Sequence, residues 1–246
     1  MTGCGEPSPA PVVLAILAHP DDETYRCGGT LALLARRGVR VHVLTATRGE
    51  AGSCGHPPLC RPGELPLVRE RELRCACAAL GIEPPILLDY RDGALATVDE
   101  DEAVARVLAV ARALRPQALL TWPAHGLSGH PDHMAVSRWA ARAFDQAAVW
   151  GSGTPAALYY LAMPRSLAAA MALTRLHTVP DGEISLVVDV SPVWEEKMAA
   201  IRCHRTQLAE TPILAAPPAQ QRRFLGSEYF LRAASREGVD PLSMLH

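Results

Sequence analysis

Lysine is nearly missing from this chain. Lys197 is the only one, so arginine carries almost all of the positive charge. The formal net charge is −2, which leaves no broad basic face of the kind nucleic acid requires. No long apolar run is present either. VVLAILA, residues 12–18, is far short of the roughly 20 residues that span a bilayer. The first eleven residues, MTGCGEPSPAP, contain neither a positive n-region nor an apolar h-region. These absences lead to the expectation of a cytoplasmic protein with no nucleic-acid or membrane partner, and of a flexible tail over residues 1–11. There is no internal repeat and no break in composition, so residues 1–246 are expected to form one domain. With 49% apolar residues, the chain can fill a substantial core.

The seven cysteines are an odd number and are scattered. Cys75 and Cys77 fall in a helical pattern and read as small buried hydrophobes. Cys54 and Cys60 bracket a polar loop containing His56, a layout compatible with a disulfide or a second metal site. A cytoplasmic setting argues against the disulfide.

The apolar pattern alternates between strand and helix. Residues 12–18 read as a strand buried on both faces, 28–37 as a helix, and VRVHVLTAT, 39–47, as a second strand. So short a crossover makes the two strands parallel. A long loop, 48–64, leads to a helix at 66–80, and further strands are expected at 86–90, 118–122, 157–163 and 184–190. Helices are expected at about 100–114, 131–147 and 192–204. The fold class is therefore α/β, a Rossmann-like three-layer sandwich with a mostly parallel sheet. Ligands of such sheets bind outside the carboxyl ends of the strands, and AHPDDE, TRGE, DYRDG and WPAHGLSGHPDH all follow strands directly.

AHPDDE, residues 18–23, crowds one imidazole and three carboxylates at a strand end. Such carboxylates need a compensating positive charge, and a divalent cation supplies it compactly. By itself the segment reads more readily as a polar loop in which Asp21 or Asp22 caps the next helix. GHPDH, residues 129–133, shifts the balance. It sets His130 and His133 on neighbouring positions of one helix face, with Pro131 at the first helical position and Asp132 available to orient an imidazole or cap the helix. Two strand-end clusters rich in metal-ligand types favour a metal site, and His and Asp suit zinc.

Together with TRGE, RERELRCACAALGI (69–82), DYRDG (89–93) and HRTQ (204–207), these blocks resemble the PIG-L/LmbE-like family of N-acetylglucosaminyl-type deacetylases, over roughly residues 12–210. The resemblance implies a Rossmann-like fold and one zinc ion held by His19, Asp22 and His133. It implies Asp21 as general base, and His130, with Asp132 behind it, as the group that stabilises the oxyanion or protonates the leaving amine. It also places Glu50, Arg69 and His204 near the substrate, an N-acetylated sugar or glycoside that would yield amine and acetate, and Asp92 joins them as a carboxylate at another strand end. Arg69 could instead pair with Glu70 or Glu72 on its own helix, and His204 could interact with a helix C-terminus. One position departs from the pattern. Some sugar-thiol members of the family carry a tyrosine two residues before the first histidine of the HPDH block, where this chain has Ser128.

Two rival readings stand beside this one: an amidase acting on a sugar-thiol conjugate, and a non-catalytic α/β module binding a metal or ligand. Iron(II), manganese or cobalt could occupy the same ligands. A nucleotide-binding Rossmann domain is excluded, because HPDDE stands where a Gly-rich phosphate loop would be. The pair Gly28–Gly29 reads as close helix packing. His42 is expected in the core, and residues 212–246 as a lid or a homo-oligomer contact.

Overall fold

The computed structural model describes residues 10–151 and 153–245, so most of the expected N-terminal tail lies outside the described residues. Seven strands form one sheet: β1 Val12–Leu17, β2 Arg40–Thr47, β3 Ile86–Tyr90, β4 Ala118–Thr121, β5 Ala157–Leu161, β6 Leu186–Asp189 and β7 Ser227–Ser235. Their order is β3-β2-β1-β4-β5-β7-β6. The pairings from β3 to β5 are parallel, while β7 runs antiparallel to both β5 and β6. The expected mostly parallel sheet is thus present.

Among the described residues the helices are α1 Asp22–Tyr25, α2 Gly28–Arg36, α3 Leu65–Leu80, α4 Glu100–Leu114, α5 Gly126–Gly129, α6 Pro131–Gln146, α7 Arg165–Ala170, α8 Trp194–Cys203 and α9 Pro218–Leu225. Helices α2, α3 and α8 pack together over one face of the sheet, and α4 and α6 over the other. Each face has its own apolar cluster, and all six residues of β1 are buried between them. That double burial explains why β1 shows a continuous apolar run rather than alternation.

Part of the segment after residue 212, expected as a lid or oligomer contact, is built into the sheet. That part is β7, an interior strand of the sheet, and Glu228 on that strand is fully buried. The Glu228 carboxylate accepts from the backbone N–H groups of Gly29 (2.9 Å) and Thr30 (2.7 Å) at the start of α2. It also accepts from Nζ of Lys197, the only lysine, at 2.8 Å. A buried anion at a helix N-terminus is favoured by the exposed amides there, and the lysine balances its charge. Gly29 is needed for close packing, as expected: a Cβ there would lie 2.4 Å from the side chain of Val190.

Cys75 is a second correction. Instead of standing alone as a small hydrophobe, it is bonded to Cys203, joining α3 to the end of α8. The two cysteines are 128 positions apart, so no local pattern pointed to the pair. Cys54 and Cys60 both remain free thiols, and His42 is buried in β2.

Candidate active site

The chain leaves β1 on one side and β4 on the other at the point where the strand order reverses, and the site lies at the carboxyl ends of these two strands. His19, Asp21 and Asp22 follow β1, while Trp122 and His133 follow β4.

Asp22 opens α1 with its carboxylate turned back toward the strand. Its Oδ2 accepts from the amides of Ala18 and His19, both at 3.0 Å, and from Trp122 Nε1 at 3.3 Å. Its Oδ1 lies 3.4 Å from His133 Nε2. Burial raises the carboxyl pKa, but His133, His19 and the His19 amide together outweigh it and hold Asp22 well below the usual range.

His133 sits in the first turn of α6, which begins at Pro131 as expected. Its Nδ1 donates to the Gly126 carbonyl at 3.2 Å, leaving Nε2 free as a ligand atom. The indole of Trp122 lies flat on the His133 ring, with centroids 4.0 Å apart and planes within 4°. Gly126 is required for this approach: its φ is +62°, and a Cβ would fall 2.9 Å from His133 Cβ.

His19 is oriented by two carboxylates. Its Nε2 lies 3.1 Å from Asp92 Oδ1 and 3.3 Å from Asp132 Oδ2, while Nδ1 is on the Asp22 side, 3.8 Å from Oδ2. Asp132 is fully buried and also accepts from the amides of Gly93 (2.8 Å) and Leu95 (3.0 Å). Asp132 therefore stands behind His19, not behind His130 as expected. His130 instead accepts the Asp132 amide on Nδ1 at 3.2 Å, so its neutral form carries the ring proton on Nε2. Burial and the nearby His19 and His133 lower the His130 pKa.

Donor atoms of His19, Asp22 and His133 all lie within 4.8 Å of one another. Two imidazoles and one carboxylate within that distance fit the three-ligand pattern of catalytic zinc. Electrostatics agree. Burial lowers the His19 pKa, but hydrogen bonds to Asp132 and Asp92, with the charge of Asp22, raise it to about 10. The cluster of carboxylates thus demands positive charge, which a divalent cation would supply.

Asp21 stands beside this set with a left-handed backbone, φ 106°, a strained conformation for a residue with a Cβ and one that is common at functional sites. Burial raises its pKa to about 6 against the opposing pull of Arg69. The expected substrate residues divide in two. Glu50 and Asp92 are half-buried at the edge of the site, where Glu50 Oε1 accepts the Asp92 amide at 2.9 Å and Asp92 Oδ2 accepts the Ala51 amide at 2.9 Å. Arg69 and His204 are both buried. Arg69 donates to Asp21 Oδ2 at 3.2 Å, to the Gly49 carbonyl at 2.7 Å and to the Pro20 carbonyl. It pairs with neither Glu70 nor Glu72 among the described residues. Ser128 is exposed on the turn before His130.

The sequence reading missed Trp122, Gly126 and Glu23. Trp122 ends the expected fourth strand and Glu23 lies inside AHPDDE, so position alone could have flagged both. The role of Gly126 is a backbone carbonyl, which leaves no mark on residue type.

Comparison with known proteins bears on this arrangement. The PIG-L model, described as GlcNAc-PI de-N-acetylase, matches residues 14–144. A 1D-myo-inositol 2-acetamido-2-deoxy-alpha-D-glucopyranoside deacetylase of Thermobispora bispora is 33% identical, over 92% of this chain and 89% of that protein. A probable N-acetyl-alpha-D-glucosaminyl L-malate deacetylase of Bacillus cereus is 32% identical, over 79% of this chain and 83% of its own length. The solved N,N'-diacetylchitobiose deacetylase of Pyrococcus horikoshii superposes with a TM-score of 0.67 at 20% identity, covering 97% of this chain and 86% of that one, a likeness of fold. With His19, Asp22 and His133 gathered at one end of the sheet and these matches running through both clusters, the chain belongs to the PIG-L family.

Proposed function

We propose that the chain is a zinc-dependent N-deacetylase that hydrolyses the acetamide of an N-acetylglucosaminyl glycoside, releasing the free amine and acetate. The observation that carries this reading is the His19, Asp22 and His133 donor set, with Asp21, next to Asp22 in the chain, outside that set and paired with Arg69 at 3.2 Å. A module that only binds a metal has no use for a strained, partly desolvated base there. The curated relatives over most of the chain are deacetylases of N-acetylglucosaminyl compounds, which supports the same substrate class.

His19 Nδ1, an Asp22 oxygen and His133 Nε2 would hold the zinc. When bound, zinc supplies the Lewis acidity that acidifies water and polarises an amide carbonyl. Asp21 takes the proton of the attacking water as the new C–O bond forms. His130, exposed and with Nε2–H pointing away from its cap, donates to the developing oxyanion. The C–N bond then breaks, and the proton held at Asp21 or on His130 passes to the leaving amine. Glu50 and Asp92, at the rim, accept from sugar hydroxyls.

The test combines metal analysis by mass spectrometry with acetate release from N-acetylglucosaminyl-inositol and N-acetylglucosaminyl-malate. About one zinc per chain with acetate released from either supports the proposal. No metal after zinc is added back overturns it. Asp21→Asn is expected to keep the zinc and lower kcat about 10²- to 10⁴-fold, whereas full activity in that variant would remove Asp21 from the role of base.

A further inference from the structure

We infer that Glu23 and His204 are a positioning pair that locks the backbone of Asp21 in its catalytic conformation, an inference that rests on Asp21 being the base. Glu23 Oε2 accepts the amide N–H of Asp21 at 3.0 Å, and Glu23 Oε1 lies 2.6 Å from His204 Nε2. Both side chains are 0% exposed, so neither can touch substrate. The other ring nitrogen of His204 has no partner, which leaves Glu23 as the only hydrogen-bonding contact of that ring among the described residues. A buried carboxylate–imidazole pair is a costly way to fill space, since apolar side chains of similar volume pack there at no desolvation cost. What apolar side chains cannot do is receive the Asp21 amide.

That amide is where control is needed. At φ 106° Asp21 occupies a region that residues with a Cβ avoid, and relaxation of φ would swing its carboxylate away from the donor set. Glu23 holds the amide from one side, and Arg69 holds Asp21 Oδ2 and the Pro20 carbonyl from the other. His204 fixes Glu23, and the segment bearing His204 is itself anchored. Thr206 donates to Glu72 through its amide at 2.9 Å and its hydroxyl at 2.7 Å, and Gln207 Nε2 donates to the Ser53 carbonyl at 2.8 Å. The late HRTQ block thus acts on the base from beneath, through Glu23.

Two measurements test the pair. The first is amide hydrogen exchange at Asp21, followed by nuclear magnetic resonance in the full-length protein, and it needs no substrate. Strong protection in wild type, lost in Glu23→Ala and weakened in His204→Gln, is expected. Unchanged protection in Glu23→Ala overturns the inference. The second is a double-mutant cycle on acetate release. His204→Gln is expected to lower kcat on the order of a hundredfold with KM little changed, the scale of a misplaced catalytic group. Glu23→Gln should fall less than Glu23→Ala, because its amide oxygen can still accept the Asp21 N–H. In an Asp21→Asn background the His204→Gln penalty should vanish, and a full penalty there means that His204 serves the fold and not the base. Wild-type protein releasing no acetate would count against the proposed function alone, and the exchange measurement would still decide the pair.

Discussion

Replacing Asp132 by Asn tests whether that buried carboxylate serves His19. The substitution keeps the volume but turns one acceptor oxygen into a donor. Asp132 Oδ1 receives the Leu95 amide, while Oδ2 receives the Gly93 amide and faces His19 Nε2. Whichever way the new amide turns, at least one buried N–H meets another donor. Each charge-assisted hydrogen bond lost costs about 1.5–3 kcal/mol, and the combined destabilisation should reach about 3–5 kcal/mol, as for a broken buried ionic contact. The second consequence is specific to the metal. With the NH2 group on the Oδ2 side, Asp92 is the one remaining carboxylate at His19 Nε2 that keeps the ring proton there and off Nδ1, the atom that should bind zinc. Losing such an outer partner weakens metal binding about 10- to 100-fold, equivalent to about 1.4–2.7 kcal/mol. Urea unfolding reads the first quantity, and competition with a zinc-chelating dye reads the second. Zinc affinity within twofold of wild type would refute the orientation argument, whatever happens to stability. Asp92→Asn is the control, because it removes the other carboxylate at the same nitrogen.

Gly126→Ala is expected to destabilise the fold by about 1–3 kcal/mol, since it places a Cβ against His133 at a positive φ. Zinc affinity should fall with it, and dye competition alongside thermal unfolding checks both. Cys75→Ser opens a cross-link spanning 128 positions, worth up to about 5 kcal/mol in the chain-entropy model. Dithiothreitol should therefore lower the Tm of wild type and leave that of Cys75→Ser unchanged. Glu100 is held below its ordinary pKa of 4.5 by hydrogen bonds from Arg142 and Arg138. Because the folded pKa is the lower one, its stabilisation is complete above pH 4.5 and is lost as pH falls through the folded value. Glu100→Gln should flatten that part of the acid-unfolding profile, and an identical profile would show the contacts to be idle.

What was readable in the chain itself was local. The doubly buried β1, the crossover to β2 and the start of α6 at Pro131 follow from runs and periods of side chains, so each could be placed from its own segment. The two clusters that contain His19, Asp22 and His133 also stood out from their own segments, because motifs that end strands of a parallel sheet converge on one edge, while the choice of those three residues came from the family resemblance. Other features required distant segments to meet. β7 inserts between β5 and β6, where Glu228 meets both the amides of α2 and the buried Lys197, and short-range pattern carries no trace of those distant contacts. Cys75 pairs with Cys203 only because α3 and α8 lie side by side. Arg69, Asp132 and His204 were singled out by the family resemblance, but the partner of each depends on which atom its side chain faces and on whether solvent reaches it. Residue type sets what a side chain can donate or accept. Only packing decides which partner receives it, as when it sets Arg69 against Asp21 and His204 against Glu23.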